Sequence, residues 1–439
     1  MNNNNVSFRV FPGDTLQGVA RVPGDKSISH RSIMLGSIAE GVTQVTGFLE
    51  AEDCLSTLNA FRALGVDIEG PTQGAVTIHG VGLHGLQAPP TPLELGNSGT
   101  SMRLLTGLLA GQAFDTVLTG DASLNRRPMK RVTDPLRQMG AVIKTSPAGT
   151  APIRIRGSGP LEPIHYDMPI ASAQVKSCLL LAGLYAEGET SVTEPAPTRD
   201  HTERMLEGFG YPVCREGNRV TLCSGGKLTA ANIDVPSDIS SAAFFMVGAA
   251  IAEKSDVTLL HVGVNPTRTG VIDILRLMGA NIEIGNERLV GGEPVADLRI
   301  RSSRLKGVQI PENLVPLAID EFPVLFVAAA CAVGETRLSG AAELRVKESD
   351  RIQVMADGLQ SLGVHAIATP DGMVIQPRPI KGGKVDSHGD HRIAMAFAIA
   401  SLRASGPIYI SDCANVNTSF PTFVNIATAL GLNIKVCEE

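Results

Sequence analysis

The stretch Met278-Gly279-Ala280-Asn281-Ile282-Glu283-Ile284 joins the end of an amphipathic segment to a β-rich run. An apolar residue followed by glycine makes the same transition at five other places: Leu64-Gly65, Met139-Gly140, Phe209-Gly210, Leu362-Gly363 and Leu430-Gly431. The numbers of successive glycines differ by 75, 70, 69, 84 and 68. Glycine is the preferred residue just beyond a helix, because it adopts positive φ without steric cost. The spacing predicts one folding unit repeated six times.

Each repeat is predicted to contain two helices and four strands in the order β-α-β-α-β-β. In the first repeat, Ile28, Leu35 and Ile38 share one face of a helix. A strand at 42–48, a second helix around Leu58 and two further strands follow. Four repeats begin with an extended stretch that ends in proline, which disfavours helix in the residue before it, and a capping residue follows. These pairs are Pro23 and Ser27, Pro169 and Ser172, Pro236 and Ser240, and Pro316 and Asp320.

The length and the repeats together predict an α/β (α+β) protein of two domains. A chain of 439 residues exceeds the size at which a single core stops growing. Six repeats divide into two sets of three, with the midpoint near Val235-Pro236. An open solenoid is the alternative, but solenoid repeats usually have about 20 to 50 residues. Two compact domains of three repeats each are therefore expected.

The composition excludes several classes of partner. A formal charge of −6, 4% aromatic residues and no tryptophan argue against a nucleic-acid-binding surface. The seven cysteines are scattered singly, which indicates structural thiols in a reducing compartment. The first five residues lack the pattern of a signal peptide, and the apolar runs are too short to span a bilayer. We expect a cytoplasmic protein without nucleic-acid or membrane partners.

Polar and basic residues cluster at the predicted helix starts of different repeats. Taken alone, each cluster is typical of a solvated cap or of an exposed helix face with weak ion pairs. Their recurrence at helix N-termini, which attract anions, predicts a site for negatively charged ligands. His388 and His391 lack a third ligand cluster, so no metal site is expected. The clusters span residues 24–31, 96–103, 125–130, 172–174, 198–201, 319–321, 345–351 and 388–392.

Five of these segments resemble the 5-enolpyruvylshikimate-3-phosphate synthases, also called 3-phosphoshikimate 1-carboxyvinyltransferases, in order and over essentially the whole chain. They are 24–31, 96–103, 172–174, 390–395 and the distinctive run Arg345-Val346-Lys347-Glu348-Ser349-Asp350-Arg351. The resemblance implies a two-lobed enolpyruvyl transferase fold, with six units arranged three per lobe around pseudo-threefold axes. The first lobe would comprise residues 21–235, and the second residues 1–20 and 236–439. The active site would lie between the lobes.

The same resemblance implies a reaction. The enolpyruvyl (carboxyvinyl) group of phosphoenolpyruvate would pass to the 5-hydroxyl of shikimate 3-phosphate, with release of phosphate by addition and elimination. This step lies on the shikimate pathway to chorismate and the aromatic amino acids. Asp320 would take the hydroxyl proton, and Glu348 with Lys26 would manage proton transfer at the methylene carbon. No cofactor would be needed, and the protein would be a monomer.

Two overlapping sets of residues are implied for substrate binding. The shikimate 3-phosphate set is Lys26, Ser27, Arg31, Ser172, Ala173 through its backbone, Gln174, Arg199, Asp320 and Lys347. The phosphoenolpyruvate set is Lys26, Asn97, Gly99, Arg127, Gln174, Arg351 and Arg392. The cations of both sets, less Asp320 and Glu348, sum to a formal charge of +5. The two substrates bring about −5 to −6, so the site would nearly neutralise them.

Two other functions fit the same pattern less well. A UDP-N-acetylglucosamine enolpyruvyl transferase would carry a reactive cysteine in the loop at 121–129, and this loop has none. A non-catalytic phosphometabolite-binding protein on the same fold would keep the cations but need neither Asp320 nor Glu348. Both carboxylates are present, which favours the enzyme, because carboxylates among so many cations suit proton transfer.

Overall fold

A computed structural model describes residues 6–13, 15–157, 159–223 and 225–438. The first five residues, on which the expected absence of a signal peptide was argued, lie outside this described part. The helices in it, in chain order, are α1 Lys26–Ile38, α2 Glu52–Ala63, α3 Gly99–Ala110, α4 Lys130–Gln138, α5 Ala173–Gly183, α6 His201–Gly208, α7 Ile239–Ile251, α8 Gly270–Leu277, α9 Phe322–Ala330, α10 Arg351–Ser361, α11 His391–Ala400 and α12 Phe423–Leu430.

Strands alternate with these helices along the whole chain. They are β1 Val6–Val10, β2 Gln17–Ala20, β3 Glu40–Thr46, β4 Asp67–Thr72, β5 Ala75–Val81, β6 Leu93–Glu94, β7 Thr116–Thr119, β8 Val142–Lys144, β9 Ile153–Arg156, β10 His165–Asp167, β11 Glu189–Thr193, β12 Val213–Glu216, β13 Arg219–Cys223, β14 Asn232–Asp234, β15 Asp256–Gly263, β16 Asn281–Val290, β17 Glu293–Arg301, β18 Thr336–Leu338, β19 His365–Thr369, β20 Gly372–Gln376, β21 Gly383–Asp386, β22 Ile408–Ser411 and β23 Ile434–Glu438.

The six predicted glycines all lie just beyond a helix in left-handed backbone. Their φ angles are +87° at Gly65, +84° at Gly140, +83° at Gly210, +93° at Gly279, +89° at Gly363 and +114° at Gly431. A residue with a Cβ is strained in this region, whereas glycine is not. The repeat that these glycines marked in the sequence is confirmed as a structural repeat.

The strands form six small sheets with one common plan. Their strand orders are β14-β3-β5-β4, β6-β7-β9-β8, β10-β11-β13-β12, β21-β22-β1-β23, β16-β17-β15-β2 and β18-β20-β19. Each four-stranded sheet contains one parallel pair, and one strand of that pair also has an antiparallel neighbour. In the sixth sheet, a parallel bridge between Gln309 and Arg337 takes the place of the fourth strand. The predicted α/β fold of six repeats is confirmed.

The chain forms two compact units. The first unit comprises Gly24–Val235 together with Val290–Glu293. The second unit comprises the described residues up to Pro23, Pro236–Leu289 and those from Pro294 onward. Three of the six sheets lie in each unit. In the first unit, β14 pairs with β3, so the last strand of this part of the chain completes its first repeat. In the second unit, β1 pairs with both β22 and β23.

Only one of the four predicted capping residues caps its helix. The Ser172 hydroxyl accepts a hydrogen bond from the amide of Val175 at the start of α5, as predicted. Asp25 caps α1 in place of Ser27, and Asp238 caps α7 in place of Ser240. A carboxylate complements the helix dipole as well as the free amides. The fourth pair, Pro316 and Asp320, is also wrong: Asp320 makes ion pairs, and α9 begins two residues later.

Helix α1 is buried along most of its length. The predicted apolar face is buried, but so is every residue from Ile28 to Ile38, because the helix packs on all sides. Each unit has one extended apolar core around such buried helices. Among the residues described, no helix is both long and apolar enough to cross a membrane.

Candidate active site

The first unit supplies one group of predicted site residues, which begins at α1. The carboxylate of Asp25 accepts from the Ile28 amide at 2.9 Å and fixes the first turn. A Cβ on Gly24 would lie 1.9 Å from the carbonyl oxygen of Gly47, so only glycine fits this approach. The Lys26 ammonium pairs with the carboxylate of Asp53, and its side chain keeps 24% of its surface exposed. Lys26 is therefore anchored but still accessible.

Arg31 lies almost wholly inside the first unit. Its guanidinium donates to Thr202 Oγ1 at 2.6 Å, to the Ser27 carbonyl at 2.9 Å and to Ser177 Oγ at 2.8 Å. Burial, with a smaller contribution from the charge of Arg199, lowers the pKa of Arg31 to about 10, although the charges of Glu203 and Asp25 oppose this shift. Arg31 thus contacts the first turn of α1 and joins this helix to α5 and α6. Arg199 is half-buried, just before α6.

Asn97, Gly99 and Arg127 come together at the start of α3. NH2 of Arg127 donates to Oδ1 of Asn97 at 2.6 Å, and Nδ2 of Asn97 donates to Oδ2 of Asp121 at 2.6 Å. The Ser98 hydroxyl caps the helix by accepting from the Ser101 amide. A Cβ on Gly99 would lie 3.0 Å from NH1 of Arg127. The glycine therefore leaves Arg127 room beside the helix N-terminus.

The starts of α3 and α5 are joined by side chains. Gln174 donates through Nε2 to Thr100 Oγ1 at 3.1 Å and accepts from NH1 of Arg103. Arg103 is not among the predicted site residues, although it lies one turn after Gly99 on α3. Its position at i+4 from Gly99 is a sequence signal that could have identified it, because such residues share a helix face. Ser172 and Ala173 lie at the capped start of the same α5.

The second unit supplies the predicted carboxylates and the remaining cations. Asp320 Oδ1 lies 3.6 Å from the Lys347 ammonium and 3.4 Å from NH1 of Arg351. Glu348 accepts from NH2 of Arg351 at 2.6 Å. The Asp320 and Glu348 side chains are 13% and 27% exposed, so both remain accessible. The two carboxylates predicted to move protons are therefore held by one guanidinium.

Arg351 itself is 1% exposed and paired with three carboxylates. Nε donates to Asp390 at 2.8 Å, in addition to the contacts with Asp320 and Glu348. Burial alone would lower the pKa of Arg351, but the charges of Asp390, Glu348 and Asp320 raise it above its ordinary value. Asp390 was missed as a site residue, because a carboxylate before a helix is usually only a cap. It does cap α11, and it also holds Arg351.

Arg392 differs from Arg351 in how its donors are used. NH1 donates to the backbone carbonyl of Asp320 at 3.0 Å and lies 3.7 Å from Glu321 Oε1. The side chain is 15% exposed. Within the described ranges, no partner is found for NH2 of Arg392. Of the two arginines predicted to bind phosphoenolpyruvate in this unit, Arg392 has no partner at NH2 among the described residues, whereas all three nitrogens of Arg351 donate hydrogen bonds.

In the second unit, carboxylates accompany the cations of the predicted site. Lys347, Arg351 and Arg392 are accompanied by four carboxylates, namely Asp320, Glu321, Glu348 and Asp390. The sequence-based charge sum omitted Glu321 and Asp390. The carboxylates of this group therefore offset its cations, and the accessible positive charge here is carried by Lys347 and Arg392. No set of three potential metal ligands is grouped anywhere in the described part of the chain.

A cavity of about 190 Å³ in the first unit lies apart from these residues. Its lining includes His84, Gln112 and Tyr185, and none of the predicted site residues. The arrangement of helix starts, rather than this cavity, carries the groups that can bind anions and move protons.

The fold is that of the enolpyruvyl transferases. A crystal structure of the enolpyruvyl transferase NikO from Streptomyces tendae aligns over 99% of this chain and 100% of its own, with a TM-score of 0.78 at 16% identity. The 2.37 Å structure of EPSP synthase from Acinetobacter baumannii aligns over 99% and 100% with a TM-score of 0.90 at 61% identity.

The sequence comparisons are more specific than the fold. The family model described as EPSP synthase (3-phosphoshikimate 1-carboxyvinyltransferase) matches residues 10–426. A 3-phosphoshikimate 1-carboxyvinyltransferase from Methylococcus capsulatus is 72% identical over 436 residues, which is 99% of this chain and 100% of that relative. One from Alkalilimnicola ehrlichii is 70% identical over 97% and 96% of the two chains. The chain belongs to the EPSP synthase family.

Proposed function

We propose that this protein is a transferase that moves the carboxyvinyl group of phosphoenolpyruvate to the 5-hydroxyl of shikimate 3-phosphate and releases phosphate. The observation that carries the proposal is the group at Asp320, in which two accessible carboxylates share a buried guanidinium within a chain of this family. A UDP-N-acetylglucosamine enolpyruvyl transferase is not favoured, because the relatives at 70% and 72% identity are named 3-phosphoshikimate 1-carboxyvinyltransferase.

The proposed base is Asp320. Lys347 at 3.6 Å and Arg351 at 3.4 Å favour its ionised form, because opposite charges at this range stabilise a carboxylate. An ionised Asp320 can accept the proton of the substrate hydroxyl as the oxygen attacks C2 of phosphoenolpyruvate. General base catalysis of this kind typically contributes about 10²- to 10⁴-fold.

Proton transfer at the methylene carbon is assigned to Glu348 and Lys26. The addition step requires a proton at that carbon, and the elimination step returns one as phosphate departs. Glu348 is 27% exposed, and Lys26 keeps 24% exposure beside Asp53. Both side chains are thus anchored by an opposite charge while their polar ends stay accessible, as proton-transferring groups need to be.

The anionic parts of the substrates are assigned to the remaining residues. Shikimate 3-phosphate would contact Ser27, Arg31, Ser172, Ala173, Gln174, Arg199 and Lys347, and phosphoenolpyruvate would contact Asn97, Gly99, Arg127, Gln174, Arg351 and Arg392. Capped helix starts at α1, α3 and α5 support this assignment, because their amides and dipoles attract phosphate and carboxylate. Arg351 would act on phosphoenolpyruvate mainly through its charge, since its donors are occupied.

Phosphate release by the purified protein tests the proposal. Release should require both shikimate 3-phosphate and phosphoenolpyruvate, and should be absent with either substrate alone or when UDP-N-acetylglucosamine replaces shikimate 3-phosphate. Tight binding of both substrates without release would instead identify a non-catalytic binding protein. Release with the nucleotide sugar would identify the other transferase.

A further inference from the structure

Glu321 is a buried carboxylate that the proposed reaction does not use. It follows Asp320 in the chain and is 2% exposed. Oε1 accepts from the hydroxyl of Ser240, at the start of α7, and Oε2 has no hydrogen-bond partner among the described residues. Burying a carboxylate costs several kcal/mol unless it is well paired. A residue kept at such a cost has a role beyond filling space.

Polar contacts hold Glu321 in place from one side. NH2 of Arg268 donates to Ser240 Oγ at 2.6 Å and to Asp238 Oδ1 at 3.1 Å. Asp238 in turn accepts from the Ser240 amide at 2.8 Å. Ser240 is therefore fixed by two neighbours while its hydroxyl proton is directed to Glu321.

On its other side Glu321 faces Arg392. Oε1 lies 3.7 Å from NH1 of Arg392, and the same nitrogen donates to the carbonyl of Asp320 at 3.0 Å. A charge at this distance restricts where the guanidinium can lie, even without a direct hydrogen bond. Both contacts use NH1, and no hydrogen-bond partner of NH2 is found among the described residues.

We propose that Glu321 is a positioning residue for phosphoenolpyruvate binding, which acts by holding Arg392 through NH1 so that its NH2 donor is presented to the substrate. The proposal rests on the proposed function, and in particular on Arg392 as a phosphoenolpyruvate ligand. Asp320 shares the effect only through its backbone carbonyl.

The first test compares Glu321→Gln with Glu253→Gln. Gln keeps the size of Glu321 and removes its charge. Glu253 is a matched control, because it pairs with NH1 of Arg403 at 3.1 Å in the same unit but on the exposed surface. E321Q should raise KM for phosphoenolpyruvate about tenfold, the effect of a typical coupled pair, with little change in KM for shikimate 3-phosphate. E253Q should change neither. Equal changes in both KM values, or none, would overturn the proposal.

A double-mutant cycle with Arg392→Lys separates positioning from a purely structural role. If Glu321 acts through Arg392, adding E321Q to R392K should raise KM for phosphoenolpyruvate by less than twofold beyond R392K alone. Multiplicative effects would show that Glu321 acts independently of Arg392. Ser240→Ala should also raise KM for phosphoenolpyruvate. This second variant tests the proposal if E321Q folds poorly. An active wild type with unchanged variants refutes only the role of Glu321, whereas an inactive wild type refutes the proposed function.

Discussion

Arg351 and Asp390 form a two-point ion pair inside the second unit. Nε and NH2 of the guanidinium donate to the two carboxylate oxygens at 2.8 Å and 3.3 Å. The two side chains are 1% and 0% exposed. Asp256 and Arg299 make the same two-point contact on the exposed surface of this unit, at 2.9 Å and 2.6 Å. The same two-point ion-pair geometry therefore occurs in a buried and in an exposed environment.

Asp390→Asn should lower the free energy of unfolding by about 3 to 5 kcal/mol, because it removes the charge of one partner in a buried pair. Asp256→Asn is the matched control and should leave the urea midpoint almost unchanged, since exposed pairs are screened by water and salt. Equilibrium urea unfolding of the three proteins measures both effects. Equal losses in the two variants would contradict the importance assigned to burial.

The contribution of Asp390 should depend on pH. Burial alone would raise the pKa of Asp390, but the charges of Arg351 and His391 and a hydrogen bond from Arg351 together hold this pKa below its ordinary value. Its stabilisation is then complete above the pKa of an unfolded aspartate, about 3.9, and is lost as pH falls through the lower folded value. The stability difference between wild type and D390N should be constant from about pH 5 to 8 and should shrink below about pH 4. A difference that shrank toward pH 8 would oppose this assignment.

Asp320→Asn should lower kcat by about 10²- to 10⁴-fold, the usual contribution of a general base. Binding of shikimate 3-phosphate, measured by calorimetry, should be retained. Asp357→Asn provides a control on the surface of α10, where the carboxylate accepts from Gln353 at 2.8 Å. Undiminished turnover in D320N would remove Asp320 from the mechanism.

Two glycines of α3 should respond differently to alanine. A Cβ at Gly99 would meet the guanidinium ends of Arg127 and Arg103, at 3.0 Å and 3.3 Å, and both can move. G99A should therefore fold normally and raise KM for phosphoenolpyruvate about tenfold, as small displacements of binding groups do. A Cβ at Gly107 would lie 2.1 Å from the carbonyl oxygen of Cys178 in α5. G107A should instead lose about 1 to 3 kcal/mol of stability through overpacking. Thermal unfolding and steady-state kinetics of both variants would show whether the effects separate in this way.

Lys176 should be essential to the stability of the first unit. Its ammonium is 1% exposed and pairs with Glu194 at 3.0 Å and Glu203 at 2.7 Å. Lys176→Met leaves both carboxylates without this cation and should lower the free energy of unfolding by about 3 to 5 kcal/mol. Adding Glu203→Leu removes one of them and should restore part of the loss. A double variant less stable than K176M would show that Glu203 has another stabilising role.

The six repeats were predictable because they depend on local rules. Gly65 and the five equivalent glycines follow helices in every repeat, and the chain needs positive φ there whatever surrounds it. The capping residues were less predictable. Asp25 and Ser27 are both good caps, and the sequence pattern does not show that Asp25 is the one that faces the free amides.

The groups that hold the candidate site were harder to predict than the residues themselves. Asp390 and Glu321 look like ordinary helix-start residues in the sequence. Their roles depend on Arg351 and Arg392, which reach them from helix starts 39 and 71 residues away in the chain. Periodicity and capping rules carry no information about such long-range pairs, so the sum of the site charges left out Asp390 and Glu321.

The pairing of β1 with β23 has a consequence for synthesis on the ribosome. Val6 lies opposite Glu438, so the strand made first is completed by the strand made last. The first unit has no such delay in its sheets, because β14 closes them before half of the second unit exists. During translation β1 therefore stays without its neighbours until β22 and β23 have been synthesised. An exposed strand of this kind is a natural target for chaperones.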